Sequence, residues 1–152
     1  GFDGVLYFYA NNEQVRDRDF EQALKEQLDW KLDRIMPYVV SADSSWVEQI
    51  CQDDVIHGVT IAANGFYGPQ GRKVRLALAD PDLNHKIESF RWDEYQITNF
   101  EMESSSLAGL AALMGHRAMT VCCIIADRLG GKMNTEYKGS IPDLIRKVLE
   151  RI

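Results

Sequence analysis

The sequence predicts an α/β layered fold whose sheet is largely covered. Strand-like apolar runs alternate with segments of helical periodicity, which is the pattern of such folds. Residues 117–126 form an apolar run of the kind that buried parallel strands show. The chain has 152 residues, 45% hydrophobic and 26% charged, without a repeat, low-complexity tract or linker. We therefore expect residues 1–152 to belong to one domain.

The first half of the chain contains predicted strands and helices in alternation. An apolar run at residues 5–9 favours a strand. Residues 19–36 carry apolar side chains at three- and four-residue spacing, which predicts one amphipathic helix or two, ended by Pro37. The elements that follow are a helix capped by Ser44 or Ser45 and a strand at residues 55–63.

The second half continues this alternation. Residues 82–95 have a weak helical periodicity, and residues 97–102 favour a short strand. That strand runs into a serine-rich, small-residue helix, for which Gly115 is a natural stop. A strand at residues 117–126 and a last helix at residues 141–152 complete the pattern. In such folds ligands bind at the carboxyl ends of the strands, so polar residues there are candidates for a site.

The charge of the chain argues against two classes of partner. The formal net charge is −6, whereas nucleic acids and anionic membranes are bound by basic faces. Neither is therefore expected as a partner. No apolar stretch reaches the roughly 18 residues that a membrane span requires, and no signal peptide is visible.

The cysteines and histidines favour ordinary structural roles. An odd number of cysteines cannot form a complete set of disulfides. We therefore interpret Cys51, Cys122 and Cys123 as buried reduced thiols of a cytoplasmic protein. The three histidines have no metal-like spacing, so no metal site is expected. The chain begins at Gly1 rather than at Met, which we interpret as a cut end or a processed product.

Two glutamates lie where a predicted strand ends and a helix begins. Glu101 and Glu103 flank Met102, and serines follow them. One interpretation is structural, because a carboxylate at a helix N-terminus stabilises the helix by about 0.3–1 kcal/mol. The other is functional, because a carboxylate there can accept two hydrogen bonds from a vicinal diol such as the 2′ and 3′ hydroxyls of a ribose.

A loop at residues 64–71 brings a second group of candidate side chains together. Its glycines and proline set the backbone, and Phe66 offers a surface on which a planar base can stack. Gln70 offers both an acceptor and a donor, and Arg72 offers a fork of donors, which match the imide edge of a pyrimidine. Loops of this composition are mostly solvated turns, so the loop alone leaves both interpretations open.

Together these segments resemble the uridine phosphorylase family. The resemblance rests on Phe66-Tyr67 followed by Gln70-Gly71-Arg72, and on the later Glu101-Met102-Glu103-Ser104-Ser105. The Glu-Met-Glu element is shared by the wider nucleoside phosphorylase superfamily, and the Gln-x-Arg element is characteristic of uridine-specific members. The resemblance implies a three-layer α/β/α, phosphorylase/hydrolase-like fold with a mixed central sheet, of which this chain would be the C-terminal part.

The resemblance also implies roles for single residues. Gln70 and Arg72 would bind the edge of uracil while Phe66 packs on the base. Glu103 would bind the ribose hydroxyls, and Met102 would line the sugar. The implied substrate-binding residues are Phe66, Gln70, Arg72, Glu101, Met102, Glu103 and Arg128, with Glu103 and Arg128 in catalytic roles and Glu101 in a supporting one.

The reaction implied by the family is phosphorolysis. Inorganic phosphate, as co-substrate, attacks C1′ of uridine to give uracil and ribose 1-phosphate, without a metal or organic cofactor. Arg128 would lie near uracil O4. Asp127 lies close to the position where purine-specific members keep a catalytic aspartate, and we interpret it as non-catalytic because Gln70 and Arg72 are present. Purine nucleoside phosphorylase is the alternative within the enzyme class.

The family's phosphate site has no counterpart in these residues. Relatives hold phosphate with a Gly-Asp-Pro-x-Arg loop and an Arg-x-Gly-Thr-x-Gly turn in their N-terminal half, and the nearest substitute here is Gly130-Gly131-Lys132. A missing N-terminal segment or chain is therefore expected. A non-catalytic nucleoside-binding or assembly domain of the same fold is the alternative outside the enzyme class. The family also implies a homo-oligomer built from dimers.

Overall fold

A mixed sheet of three strands organises the fold. The structure is a computed structural model that describes residues 1–127 and 129–152. The strands lie in the order β1 (Val59–Ala62), β3 (Tyr95–Glu101) and β2 (Arg91–Trp92). β1 and β3 are parallel, and β2 pairs antiparallel with β3. A separate two-stranded antiparallel sheet is formed by β4 (Ala126–Asp127) and β5 (Lys132–Met133).

The α-helices lie before, between and after these strands. They are α1 (Arg18–Gln27), α2 (Ser44–Ile50), α3 (Leu83–Ser89), α4 (Ser104–Leu113) and α5 (Tyr137–Glu150). Asp17 and Asp43 begin α1 and α2 by accepting backbone N–H groups with their side chains, as N-cap residues do. The helices thus confirm a mixed α/β fold. Among the described residues, none of the helices is both long enough and apolar enough to span a membrane.

The core lies between the sheet and the helices α1 and α3. Phe20 of α1 stacks on Phe90 with ring centroids 5.4 Å apart. Leu24 of α1, Ile61 of β1 and Ile87 of α3 are buried in the same cluster. Apolar spacing on α1 therefore identified the buried face of that helix correctly.

The strand predicted at residues 5–9 is wrong. Val5–Phe8 form a 3-10 helix instead, and Leu6 is its buried residue. Asp3 Oδ1 accepts the backbone N–H of Val5 at 2.8 Å, and Gly4 before the helix has φ +73°. This local hydrogen bond turns the chain away from an extended path, and such turns compete with strands in short apolar runs.

Several boundaries also differ from the prediction. The helical segment at residues 19–36 ends with α1 at Gln27, where Asp29 follows at φ +44°. Asp43, rather than either predicted serine, caps α2. The helix predicted at residues 82–95 ends at Ser89 as α3. The residues after it form β2, which turns back to pair with β3. Gly115 does end α4 as predicted, with φ +74°.

The strand predicted at residues 117–126 is likewise wrong. Only Ala126 belongs to a strand, and none of residues 117–127 is buried. An apolar run favours burial, but it forms a strand only where a neighbouring strand is available for backbone hydrogen bonds. The cysteines of this run are partly buried rather than fully buried, and they are free thiols. The last helix, α5, begins at Tyr137 rather than at residue 141.

Candidate functional site

Two candidate segments lie at one edge of the sheet. Strand β1 ends at Ala62, and Ala62 is paired in parallel register with Glu101 at the end of β3. The backbone N–H of Ala63 donates to the carbonyl of Glu101 at 2.9 Å, which extends this pairing. The carboxyl ends of parallel neighbours meet at the same edge. The loop after β1 and the Glu101–Glu103 segment therefore start from adjacent points.

The loop after β1 contains a short 3-10 helix, Gly68–Gln70, with a proline in its first turn. Gly71 closes this turn at φ +73°, a conformation that L side chains rarely adopt. A Cβ on Gly71 would lie 2.3 Å from Nδ2 of Asn84, whose side chain donates to the carbonyl of Gln70 at 3.3 Å. The turn and its neighbour on α3 thus require glycine at this position.

Phe66, Gln70 and Arg72 are brought together by this turn. Arg72 Nη1 donates to Oε1 of Gln70 at 2.8 Å and to the carbonyl of Phe66 at 2.5 Å. The guanidinium carbon of Arg72 lies 3.7 Å from the centroid of the Phe66 ring, in cation–π geometry. Gln70 is 3% exposed and Phe66 is 52% exposed. One face of the aromatic ring is therefore covered by Arg72, and much of the ring remains accessible.

Glu101 has a structural role at the start of α4. Its Oε2 accepts the backbone N–H groups of Glu103 and Ser104 at 2.8 and 2.7 Å. Its Oε1 accepts the hydroxyl of Ser104 at 2.6 Å. These are the N–H groups that a helix N-terminus leaves without internal partners. The structural interpretation of the acidic pair thus holds for Glu101.

Glu103 differs from Glu101 in its surroundings. It occupies the residue before α4, and its side chain is exposed. Within the described residues, no donor is hydrogen bonded or ion paired to its carboxylate. Met102 beside it is 39% exposed. This end of β3 therefore presents an accessible carboxylate and an accessible thioether side chain.

The third predicted segment is only partly described. Arg128 lies outside the described residues. Asp127 accepts the backbone N–H groups of Leu129 and Gly130 through Oδ1, at 3.1 and 2.8 Å. That carboxylate oxygen is therefore hydrogen bonded to the backbone that follows β4.

Two cavities of the described residues do not include the predicted side chains, and one of them adjoins this region. The larger, about 390 Å³, is lined by Phe2, Asp3, Gly4, Tyr7, Arg34, Ile35, Met36 and Asn64. Asn64 belongs to the loop after β1, so this cavity adjoins the edge that carries the candidate segments. The other, about 330 Å³, lies beside α1 and Trp30. Sequence reasoning missed the N-terminal segment because its side chains carry no motif.

Comparisons with known proteins agree with this architecture. A profile of the Phosphorylase superfamily matches residues 7–151. Uridine phosphorylase A of Schistosoma mansoni is 37% identical over 83 residues, which are 53% of this chain and 27% of that protein. Uridine phosphorylase of Thermococcus kodakarensis is 36% identical over 78 residues, 47% of this chain and 25% of that protein. Inactive uridine phosphorylase B of S. mansoni is 34% identical over 85 residues, 49% of this chain and 25% of that protein.

A solved structure matches almost the whole backbone. The Trypanosoma brucei nucleoside phosphorylase, whose crystal structure is described as showing uridine phosphorylase activity, matches with a TM-score of 0.84 and 23% identity. The match covers 99% of this chain and 54% of that chain, and the aligned part of the chain spans 25–27% of the uridine phosphorylases above. The likeness shows a nucleoside phosphorylase fold. With the profile extending from residue 7 to residue 151, the chain belongs to the phosphorylase superfamily.

Proposed function

We propose that this chain supplies the base and ribose sites of a pyrimidine nucleoside phosphorylase, which converts uridine and inorganic phosphate to uracil and ribose 1-phosphate. The observation that carries the proposal is the shared edge of β1 and β3. It places the Gln70–Arg72 loop and Glu103 after directly paired parallel strands. The uridine phosphorylases of S. mansoni and T. kodakarensis support a pyrimidine nucleoside as substrate.

Gln70 and Arg72 recognise the imide edge of uracil in this proposal. That edge presents the acceptor O4, the donor N3–H and the acceptor O2. Oε1 of Gln70 accepts from Arg72, and the side-chain amide of Gln70 carries both kinds of group that N3–H and the carbonyls of uracil pair with, an acceptor and a donor. The guanidinium has five N–H donors, so it can hold Gln70 and also reach a carbonyl of the base. The base then packs on the accessible part of the Phe66 ring, which is 52% exposed.

Glu103 holds the sugar. Its exposed carboxylate can accept from both ribose hydroxyls, and Met102 packs against the ring. As the glycosidic bond breaks, negative charge grows on the leaving uracil while C1′ becomes cationic. Donors that are already oriented toward that charge stabilise the transition state by about 2.7–4 kcal/mol each. Gln70 and Arg72 fill this role, and Arg128 is proposed to add a donor near O4.

Phosphate is the co-substrate, and no metal or organic cofactor takes part in the proposed reaction. A separate segment carrying the Gly-Asp-Pro-x-Arg and Arg-x-Gly-Thr-x-Gly elements is proposed to hold the anion below C1′. Correct placement of reacting atoms about 3–3.5 Å apart can supply roughly 7–11 kcal/mol of the barrier. Without that segment the base and ribose sites bind nucleoside but do not turn it over.

A non-catalytic nucleoside-binding domain is the second candidate. A relative named inactive uridine phosphorylase B, 34% identical over 85 residues, favours it. The two candidates share the base and ribose contacts and differ in phosphate binding. Purine specificity would require Asp127 to act as an acid, and the hydrogen bonds from Leu129 and Gly130 argue against that role.

We also propose a cytoplasmic homo-oligomer built from dimers, without nucleic acid or membrane as partner. The free thiols of all three cysteines agree with a reducing compartment. Apolar side chains on α5 support assembly, since Ile145 and Leu149 are 53% and 66% exposed.

Activity measurements test the proposal. Uracil and ribose 1-phosphate release from uridine would be followed with this chain alone and after adding an N-terminal segment of a uridine phosphorylase that carries both phosphate elements. We expect phosphate-dependent turnover only with the added segment. Turnover by the chain alone would show that its own residues, with Gly130-Gly131-Lys132 foremost, bind phosphate. Uridine binding without turnover in either sample would favour the non-catalytic domain.

A further inference from the structure

A partly buried carboxylate near the start of the chain is hydrogen bonded to α4. Asp3 Oδ1 accepts the hydroxyl of Tyr38 at 2.6 Å, and its Oδ2 accepts the hydroxyl of Ser105 at 2.6 Å. The two hydroxyl oxygens are themselves 3.1 Å apart. Three segments that are distant in sequence thus meet in one closed set of hydrogen bonds, which we call the Asp3 network.

The Asp3 network is fixed by its surroundings. Tyr38 is 0% exposed, and its ring packs edge-on against Tyr7 with centroids 6.0 Å apart. Asp3 is tied to the turn that follows it by the backbone N–H of Val5. The backbone N–H of Phe2 donates to the carbonyl of Ala62 at 2.8 Å, which joins this segment to the end of β1. The network therefore links the carboxyl edge of the sheet to α4.

Tyr38 remains a donor over the physiological range. Burial, followed by the hydrogen bond to Asp3, raises the pKa of the Tyr38 hydroxyl far above its ordinary value. Hydrogen bonds from hydroxyls to a carboxylate are charge-assisted and hold their partners more firmly than neutral ones. Ser105 is thus held in a defined position relative to the sheet.

Ser105 lies in the first turn of α4, immediately after the residues that Glu101 binds. Glu101 fixes the backbone of Glu103 and Ser104, and the Asp3 network holds the same turn through the hydroxyl of Ser105. The carboxylate of Glu103 has no hydrogen-bond partner among the described residues. Its location therefore depends on how its backbone is held.

We propose that Asp3, Tyr38 and Ser105 are positioning residues that hold the first turn of α4 so that Glu103 meets the ribose hydroxyls. The inference rests on the proposed function, in which Glu103 binds ribose and the Gln70–Arg72 loop binds the base. Among the described residues, the side-chain hydrogen bonds of the network reach α4, and none of them reaches the Gln70–Arg72 loop. Its loss should therefore weaken binding of the nucleoside uridine and leave binding of uracil, which has no ribose, unchanged.

Matched substitutions test this inference. Tyr38→Phe and Ser105→Ala each remove one hydroxyl from the network, and Ser105→Thr keeps the hydroxyl. Tyr7→Phe is the control, because it makes the same chemical change on the neighbouring ring, whose hydroxyl bonds Arg16 and Pro37 instead. Uridine and uracil would be titrated calorimetrically into the full chain and each variant, with the folded state checked by circular dichroism.

We expect Tyr38→Phe and Ser105→Ala to weaken uridine binding about tenfold, which corresponds to about 1.4 kcal/mol. Uracil affinity should change less than about twofold, and Ser105→Thr and Tyr7→Phe should resemble the unsubstituted chain. Equal losses for both ligands, or no loss for uridine, would overturn the inference. If Tyr38→Phe does not fold, the two Ser105 variants decide the question. Failure of the unsubstituted chain to bind uridine would instead overturn the proposed function.

Discussion

Arg72 Nη1 donates a 2.8 Å hydrogen bond to Oε1 of Gln70, which is itself 3% exposed. The same guanidinium covers one face of the Phe66 ring. Three side chains that the sequence places in one loop therefore form a single hydrogen-bonded and stacked unit. Changes in any of them should affect binding of the base more than binding of the sugar.

The first prediction concerns the shape of the Arg72 side chain. Arg72→Lys keeps the charge but removes the planar fork that both stacks on Phe66 and bonds Gln70. Leaving buried polar groups without a hydrogen-bond partner costs about 1–3 kcal/mol, so the free energy of uracil binding should become less favourable by that amount. Arg75→Lys is the control, because Arg75 is exposed a few residues further on. Uracil binding would be measured by calorimetric titration. Equal uracil affinities of Arg72→Lys and Arg75→Lys would contradict a role of Arg72 in binding the base.

The second prediction separates the two glutamates. Glu101→Gln removes a charged acceptor from the N-terminus of α4, and losing such a cap typically costs about 1 kcal/mol of stability. Glu103→Gln should leave the free energy of unfolding nearly unchanged but weaken uridine binding, because its carboxylate makes no hydrogen bond within the described residues. Urea unfolding and uridine titration of both variants check this. If Glu103→Gln instead lowers stability and Glu101→Gln instead weakens uridine binding, Glu103 is the helix cap and Glu101 is the ribose ligand.

The third prediction concerns the turn that presents Gln70. Gly71→Ala should destabilise the fold by roughly 1–2 kcal/mol, because an alanine at φ +73° is strained. Its Cβ would also displace Asn84 from the carbonyl of Gln70. Gly68→Ala is the control, since a Cβ there meets only open space. Equal midpoints of urea unfolding for the two variants would show that the turn accommodates a side chain at residue 71 without loss of stability.

The fourth prediction is a pH dependence. The side chain of Asp80 is buried, and its hydrogen bond from Lys86 at 2.9 Å lowers the pKa of the carboxyl below its ordinary value. A lowered pKa in the folded state contributes stability above the unfolded pKa of about 3.9, which is lost as pH falls through the folded value. The stability difference between the unsubstituted chain and Asp80→Asn should therefore be full near neutral pH and shrink below about pH 4. A difference that does not change with pH in urea unfolding would contradict the assignment.

Sequence reasoning predicted the two ends of α4 better than it predicted the strands at residues 5–9 and 117–126. The glycine stop of α4 and the carboxylates at its start are local signals, so they could be predicted from neighbouring residues. The turn at Val5 depends on one hydrogen bond, which the backbone N–H of Val5 donates to the Asp3 carboxylate and which the spacing of apolar residues does not reveal. The Asp3 network could not be predicted at all, because Asp3 and Ser105 are brought together only by the tertiary fold.

Discrimination between nucleosides tests the central claim most directly. Uridine and inosine would be titrated calorimetrically into this chain under identical conditions. If Gln70 and Arg72 bind the imide edge of a pyrimidine, uridine should bind and inosine should not, because a mismatched base leaves buried polar groups unpaired at about 1–3 kcal/mol each. Inosine binding as tight as that of uridine would contradict the account. It would assign the chain to the purine-specific members, with Asp127 as the catalytic acid.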